Sequence, residues 1–318
     1  MSIESKPQPA TGSFFAASAS YLIWGLFPLF WHLLAAVDAT ELIAHRVVWS
    51  LLFLLGVVAA QQRLAELGRA CRQWQNLRVH ALSGVLLTVN WLVYVWGVNH
   101  GHVIECSLGY FLVPLINVTL GRWLLQERLR KAQLAAIVIA TLGVALMVWR
   151  VGRFPWIALT LAVTFGCYGL FRKRSNLGPL LGLTLETLLL VPFAAGFLLW
   201  RLAQGSGALG HVDAATTAII LSSGLVTAVP LLLFAKGARG LRMITLGLVQ
   251  YVTPTCQFLL GWLLYNETLG EARAGAFLLI WAGLAIYSLD AVLASRGVPF
   301  SERPGQAAAV TGRARSLK

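Results

Sequence analysis

The sequence predicts an all-α membrane protein of ten transmembrane helices, arranged as two inverted five-helix repeats. Three observations carry that prediction. Apolar runs of bilayer-spanning length recur along nearly the whole chain, positive charge falls on alternate connections, and a set of residues returns at an offset of 140 positions. Hydrophobic residues make up 58% of the 318 and charged residues only 12%, about half the charged share of a soluble domain.

Apolar runs bounded by polar residues place spans at 13–35, 41–60, 80–98, 104–124, 132–149, 155–172, 180–200, 214–234, 243–264 and 273–294. Each approaches the roughly 20 residues that a hydrocarbon core demands. Residues 13–150 form the first repeat and 151–294 the second. The segments 1–12 and 295–318 carry Pro, Gly, Ser and charge without periodicity and are expected to be disordered cytoplasmic tails. Small residues Ala16 to Ser20 precede the first apolar run instead of following it, so the first span is expected to stay in the membrane.

A net charge of +13 admits nucleic acid as a partner until its distribution is considered. With a cytoplasmic N-terminus, alternation sends only Arg150, Arg153, Arg201 and Arg273 to the outer side. Arg46 lies inside a span, and every other Lys and Arg of the 25, from Lys6 through Arg172, Lys173 and Arg174 to Lys318, falls on the cytoplasmic side. This is the bias that orients helices during insertion. It accounts for the basic chain through lipid contact and without nucleic acid.

The repeat pairs Pro114, Gly121, Glu127, Leu129 and Gly143 with Pro254, Gly261, Glu267, Leu269 and Gly283. A weaker echo pairs Trp24-Gly25-Leu26-Phe27 with Tyr168-Gly169-Leu170-Phe171. Five spans per half is an odd number, so the second half must enter the membrane upside down. The connection after span four carries Arg128, Arg130 and Lys131, whereas its copy carries Glu267, Glu271 and a single Arg273. Inverted repeats of this kind typify secondary transporters.

An ionisable group in hydrocarbon costs roughly 2.5–3.5 kcal/mol on insertion scales, so each one asks for a reason. Arg46 sits roughly 8 Å inside the outer end of span two at 1.5 Å per residue, with Glu41, His45 and Trp49 along the neighbouring face. Arg46 either clamps a carboxylate or phosphate of a solute, snorkels to headgroups, or pairs with Glu186 or Glu105. Glu186 in span seven is either a proton carrier or a structural acid. Asp290 near the end of span ten reads as structural.

Tyr110, Pro114, Asn117 and Gly121 share one helical face, and Gln250, Pro254, Gln257 and Gly261 form its copy. Both faces are read as cavity lining between the halves, against the alternative of plain helix packing. Asn90 and Tyr94, spaced i and i+4 in span three, are weaker candidates. Pro28, Pro114, Pro192, Pro230 and Pro254 interrupt spans and are candidate kinks or hinges. Tryptophans 24, 31, 74, 123, 149, 156, 200 and 262 read as interface markers without chemistry.

The cysteines Cys71, Cys106, Cys167 and Cys256 have no metal spacing and read as packing residues. The run Asn99-His100-Gly101-His102 with Glu105 fits no metal motif and reads as an interfacial connection. No cofactor or metal is implied. A competing reading is an intramembrane enzyme acting on a lipid or isoprenoid through His45, His100, His102 or Glu105, but no nucleophile elbow or phosphate loop accompanies them.

Several strings resemble the RarD branch of the drug/metabolite transporter superfamily. They are Glu41-Leu42-Ile43-Ala44-His45-Arg46, Trp96 through His102, Ser107-Leu108-Gly109-Tyr110-Phe111, Leu183-Thr184-Leu185-Glu186-Thr187, and Thr227 through Phe234. The resemblance runs from about Phe14 to Leu293, and departs in Asn266-Glu267-Thr268 where the first half has Gln126-Glu127-Arg128. It implies a ten-helix bacterial inner-membrane permease of two EamA-type halves, moving a small metabolite or drug-like solute; the charge bias and the even number of spans place both termini in the cytoplasm.

Overall fold

Apolar sequence with few breakers yields helix throughout a computed structural model that describes residues 10–100, 102–151, 154–263 and 271–295. The expected tails before Ala10 and beyond Ser295, Arg153, and the segment holding Glu267 and Leu269 lie outside the described residues. So do the side chains of Asn99, Arg150, Trp262, Glu271 and Arg273. The helices are α1 (Ala10–His32), α2 (Ala39–Ala60), α3 (Leu64–Arg72), α4 (Trp74–Asn99), α5 (Val103–Leu124), α6 (Lys131–Val151), α7 (Trp156–Arg174), α8 (Pro179–Ala203), α9 (Ala214–Gly240), α10 (Met243–Val249), α11 (Val252–Leu263) and α12 (Glu271–Ser295). Among the described residues there is no strand. By length and composition α1, α2, α4, α8 and α9 each suffice to cross a membrane, and shorter apolar stretches lie in α5, α6 and α12.

Local chemistry sets the helix ends. Asp38 caps α2 by accepting from the Thr40 and Glu41 amides, both at 3.0 Å, and Asp213 caps α9 through Thr216 at 2.9 Å. Gly178 followed by Pro179 opens α8. Arg172, Lys173 and Arg174 fill the last turn of α7, where the helix dipole favours cations.

The structure departs from the sequence reading in three places. Helix α1 begins at Ala10, inside the stretch expected to be a tail. The connection between spans two and three holds α3, an amphipathic helix that buries Leu67 and Ala70 and packs on α4 and α8. It is too short for an apolar-run search to register. Span nine is broken at Gln250 and Tyr251 into α10 and α11. Pro254 explains the break: it has no N–H for the Gln250 carbonyl, and its ring crowds that position. The carbonyl accepts instead from Thr253 at 3.0 Å. Pro28, Pro114, Pro192 and Pro230 lie within continuous helices.

The packing has an internal order. Exchanging α1 with α7, α2 with α8, α4 with α9, α5 with α10–α11, and α6 with α12 carries most helix contacts into other contacts that are present. Thus α5 against α7 becomes α11 against α1, α1 against α9 becomes α7 against α4, and α2 against α9 becomes α8 against α4. Three pairs map onto themselves, α2 with α8, α5 with α10, and α6 with α12. Each of the three is antiparallel. Gly275 lies near Leu146 while Gly283 abuts Ala136; Gly121 faces Met243 while Gly247 abuts Pro114. Glu41 meets Arg201 at one end of α2 and α8, and Val58 clusters with Leu181 at the other.

The α5–α10 crossing depends on a missing side chain. A Cβ at Gly247 would stand 2.8 Å from the Pro114 carbonyl oxygen and 2.9 Å from Asn117 Cβ. Backbone cannot yield as a flexible side chain can. Gly247→Leu is expected to destabilise the protein by about 1–3 kcal/mol or more, lowering its melting temperature in detergent. Gly56→Leu, at an exposed position with open space around it, is the control expected to melt with the parent.

Candidate functional site

A cavity of about 220 Å³ lies among α1, α2, α4, α5, α7, α9 and the α10–α11 junction. Trp24, Phe27, Pro28 and Trp31 form its α1 wall, and Leu87, Asn90, Trp91 and Tyr94 its α4 wall. Arg46, Tyr110, Phe165, Thr227, Leu231, Gln250, Thr253 and Gln257 complete it. These positions run from the middle of the bundle toward the end where α1 finishes and α2 begins.

Arg46 is the one cation among the lining residues. Its guanidinium is held between two indoles, with its carbon 4.7 Å from the Trp31 ring centre and 4.4 Å from the Trp91 ring centre. Its Nε donates to Thr227 Oγ1 at 2.9 Å. Among the described residues no carboxylate pairs with it, so the alternatives of pairing with Glu186 or Glu105 are not realised here. Cation–π contact in a desolvated site contributes about 2 kcal/mol or more, which offsets part of the cost of burying the charge.

The neutral polar groups are partly committed. Asn90 spends its amide N–H groups on the Leu161 carbonyl at 2.9 Å and on Thr164 Oγ1 at 3.0 Å. Gln250 Oε1 accepts from Asn117 Nδ2 at 3.2 Å and from the Tyr21 hydroxyl at 3.5 Å. Gln257 Nε2 donates to the Trp24 carbonyl at 3.3 Å. Each leaves its other amide atom for a solute.

An aromatic layer closes the opposite side of the cavity. Tyr168 stacks on Phe234 with ring centres 5.7 Å apart, and Phe234 also meets Phe165 at 5.3 Å, Trp24 at 5.5 Å and Tyr21 at 6.1 Å. Tyr21, Tyr168 and Phe234 are buried in the central core. Beyond them the bundle end is laced across its length by side-chain bonds. Glu127 accepts from the Met243 amide at 2.8 Å and the Ile244 amide at 3.1 Å, capping α10. Arg174 donates to the Leu124 carbonyl at 3.0 Å, and Lys173 donates to the Leu241 carbonyl.

Of the residues singled out from sequence, Arg46, Asn90, Tyr94, Tyr110, Gln250 and Gln257 meet at this cavity. His45, Trp49 and Asn117 do not line it. His45 turns to Glu41 at 3.6 Å, and Glu41 is itself held by Arg201 at 3.1 Å and by the Ala208 amide at 2.6 Å. Trp49 lies against Gly224 of α9, where any Cβ would collide with it. Asn117 sits one layer back and positions Gln250. Trp24 and Trp31, read as interface markers, are cavity walls instead. Sequence reasoning also passed over Trp91 and Thr227. The i, i+3, i+7 spacing of Trp24, Phe27 and Trp31 was the available signal for an aromatic face.

Glu186 lies elsewhere. It is 1% exposed and pairs with Arg172 Nη1 at 3.7 Å, an arginine equally buried although the charge count treated it as a cytoplasmic loop residue. Ser83 Oγ donates to Glu186 Oε2 at 2.8 Å, and Arg172 Nη2 donates to the Pro179 carbonyl at 3.0 Å. His80 completes the group through Ser175 Oγ at 3.1 Å. A void of about 20 Å³, room for about one water, lies between Glu186 and Arg46 and is also lined by Ser50, Thr187 and Thr227. Asp290 pairs with Arg130 at 2.7 Å, in keeping with a structural acid. His100 stacks on Trp96, and His102 faces Glu105 at 3.5 Å, both away from the cavity.

Apolar helices enclosing a largely apolar cavity with a few polar groups in its wall define a multi-pass membrane protein with room for a small molecule. The comparisons sharpen that class. A profile of the EamA-like transporter family matches residues 11–149. An uncharacterized transporter of Pseudomonas aeruginosa is 44% identical over 287 residues, covering 88% of this chain and 94% of that one. The proteins named RarD of Streptomyces exfoliatus and Escherichia coli are 39% and 38% identical, covering 92% and 88% of this chain and 93% and 95% of theirs. A solved crystal structure shares the fold with a TM-score of 0.66 at 20% identity, covering 88% of this chain and 97% of that one. The chain belongs to the EamA-like transporter family, among relatives named RarD, and is a bacterial membrane permease of the drug/metabolite superfamily.

Removing one member of a buried ion pair leaves the other unpaired, at a cost of about 3–5 kcal/mol, whereas an apolar pair of similar volume is close to neutral. Arg172→Met is therefore expected to lower the melting temperature markedly, and Arg172→Met combined with Glu186→Leu to restore most of it. Thermal unfolding in detergent, followed by tryptophan fluorescence, reads both.

Proposed function

We propose that this permease carries one small solute across the bacterial inner membrane by alternating access, rocking two inverted five-helix halves, 13–150 and 151–294, about a shared cavity. The observation that carries this reading is the cavity itself, lined from both halves and closed on one side by the Tyr21, Phe165, Tyr168 and Phe234 layer. Inversion is supported by the exchange order of the helix contacts and by the antiparallel course of each self-paired set. The family profile ends at residue 149, where the proposed first half ends. With both termini cytoplasmic, as the charge bias favours, the cavity faces outward.

Glu186 is the candidate coupling acid. Its Oε1 accepts no hydrogen bond from the described protein atoms, and the one-water void joins it to the cavity wall at Arg46. A proton on Glu186 would release Arg172 and loosen the cytoplasmic side of the bundle. The competing enzymatic reading is disfavoured because His45 beside Glu41, and His100, His102 and Glu105 around Trp96, are absent from the cavity lining.

Alternating access makes a distinctive demand: the same cavity residue must be reachable from either compartment. In a background with Cys71, Cys106, Cys167 and Cys256 replaced by alanine, Gln257→Cys is expected to react with a membrane-impermeant maleimide in right-side-out and in everted vesicles. Labelling from one side only, under every imposed gradient, contradicts the proposal. Adding Glu186→Gln is expected to abolish the dependence of that labelling on the proton gradient; an unchanged dependence removes the coupling role.

A further inference from the structure

We infer that the solute is a small organic monoanion, a carboxylate seated on the free edge of Arg46 with a flat apolar body against the aromatic walls. This rests on the permease reading and names the class of molecule moved.

Geometry at Arg46 leaves a single way to bind. The guanidinium carbon lies over the Trp31 ring at 4.7 Å and over the Trp91 ring at 4.4 Å, and Nε is spent on Thr227. What remains is the in-plane edge formed by the two Nη groups, the parallel pair of donors that matches the two oxygens of a carboxylate. The two indoles and the Thr227 hydroxyl hold the side chain in place and so lower the cost of ordering it on binding. Tyr94 and Tyr110 stand in the same wall with hydroxyl groups able to donate.

Charge balance narrows the class. Among the described residues no carboxylate lines the cavity, so the guanidinium charge is answered by the solute, and one cation is answered by one negative charge. A zwitterion or a cation would bring an ammonium group with no acid to receive it. The remaining surface is mostly Trp, Phe and Leu, which favours an apolar body. At about 220 Å³ the cavity is smaller than the roughly 300–1,000 Å³ of drug-sized sites.

Benzoylformate, an aryl carboxylate that stays ionised at neutral pH, is a suitable probe, with benzoylformamide as its neutral isostere. Binding to the detergent-purified full chain would be read by tryptophan fluorescence and thermal shift, and movement by uptake into proteoliposomes. Benzoylformate is expected to bind at least tenfold more tightly than the amide or phenylalanine. Arg46→Gln is expected to weaken it about 10- to 100-fold, as loss of charge-assisted hydrogen bonds does, and Arg46→Lys to recover only part. Should Arg46→Gln fail to fold, Thr227→Val, which frees the guanidinium to turn, is expected to weaken the anion severalfold and leave the amide unchanged.

Equal affinity for the anion and its amide, or an Arg46→Gln protein that binds benzoylformate undiminished, overturns the inference. If a neutral or cationic solute is carried while benzoylformate neither binds nor moves, the inference fails and the permease reading stands. If benzoylformate binds through Arg46 and is not moved under any gradient, the anion site is upheld and the permease reading fails.

Discussion

A half-buried guanidinium set among apolar helices, with no acid partner among the described residues, is the constraint around which the rest of this molecule is organised. Such a charge is costly in hydrocarbon, by roughly 2.5–3.5 kcal/mol even on lenient scales. Arg46 meets that cost with two indoles, one threonine hydroxyl and an aqueous cavity, none of which neutralises it. The cavity lies where α1, α2, α4 and α9 bring those groups together. An Arg–carboxylate pair in the same place would have allowed the helices to close, as they do around Arg172 and Glu186.

The buried Arg172 and the half-buried Arg46 are thus held differently. Arg172 is compensated, and it ties α7 to α8 beside α4 at the side of the bundle where the aromatic layer and the Glu127 cap also lie. Arg46 is uncompensated and faces the open side. Packed interiors switch between discrete arrangements and resist gradual deformation, so under the proposed alternating access a charge added at one arginine or a proton added beside the other would bias the whole assembly.

Much of this was legible in the sequence because the bilayer imposes simple rules. Apolar runs located the long helices to within about six residues, and polar positions such as Asn90, Gln250 and Gln257 reached the cavity because a polar group in a membrane helix needs a wet or bonded place. The parts that were not legible depend on which way a side chain leans. His45 and Arg46 are neighbours, yet one faces Glu41 and the other the cavity. Arg172 looked like one more basic residue at a helix end, and only the fold brings Glu186 and Ser83 to it. Tryptophans carry the same signal at a lipid interface and in a solute cavity, so Trp31 and Trp91 were invisible as walls. The break in span nine was foreshadowed by Pro254, although Pro114, its repeat partner, leaves α5 continuous.

The most direct test of the account is a pair of spin-label distances taken across the two halves in the same reconstituted protein. Arg122→Cys with Lys236→Cys reports the end proposed to be cytoplasmic, and Leu33→Cys with Leu202→Cys the opposite end, all at exposed positions. Upon imposing a proton gradient or adding solute, the two distances are expected to change in opposite senses, one end closing as the other opens. Distances that stay fixed, or that lengthen and shorten together, would contradict two halves rocking about a common cavity.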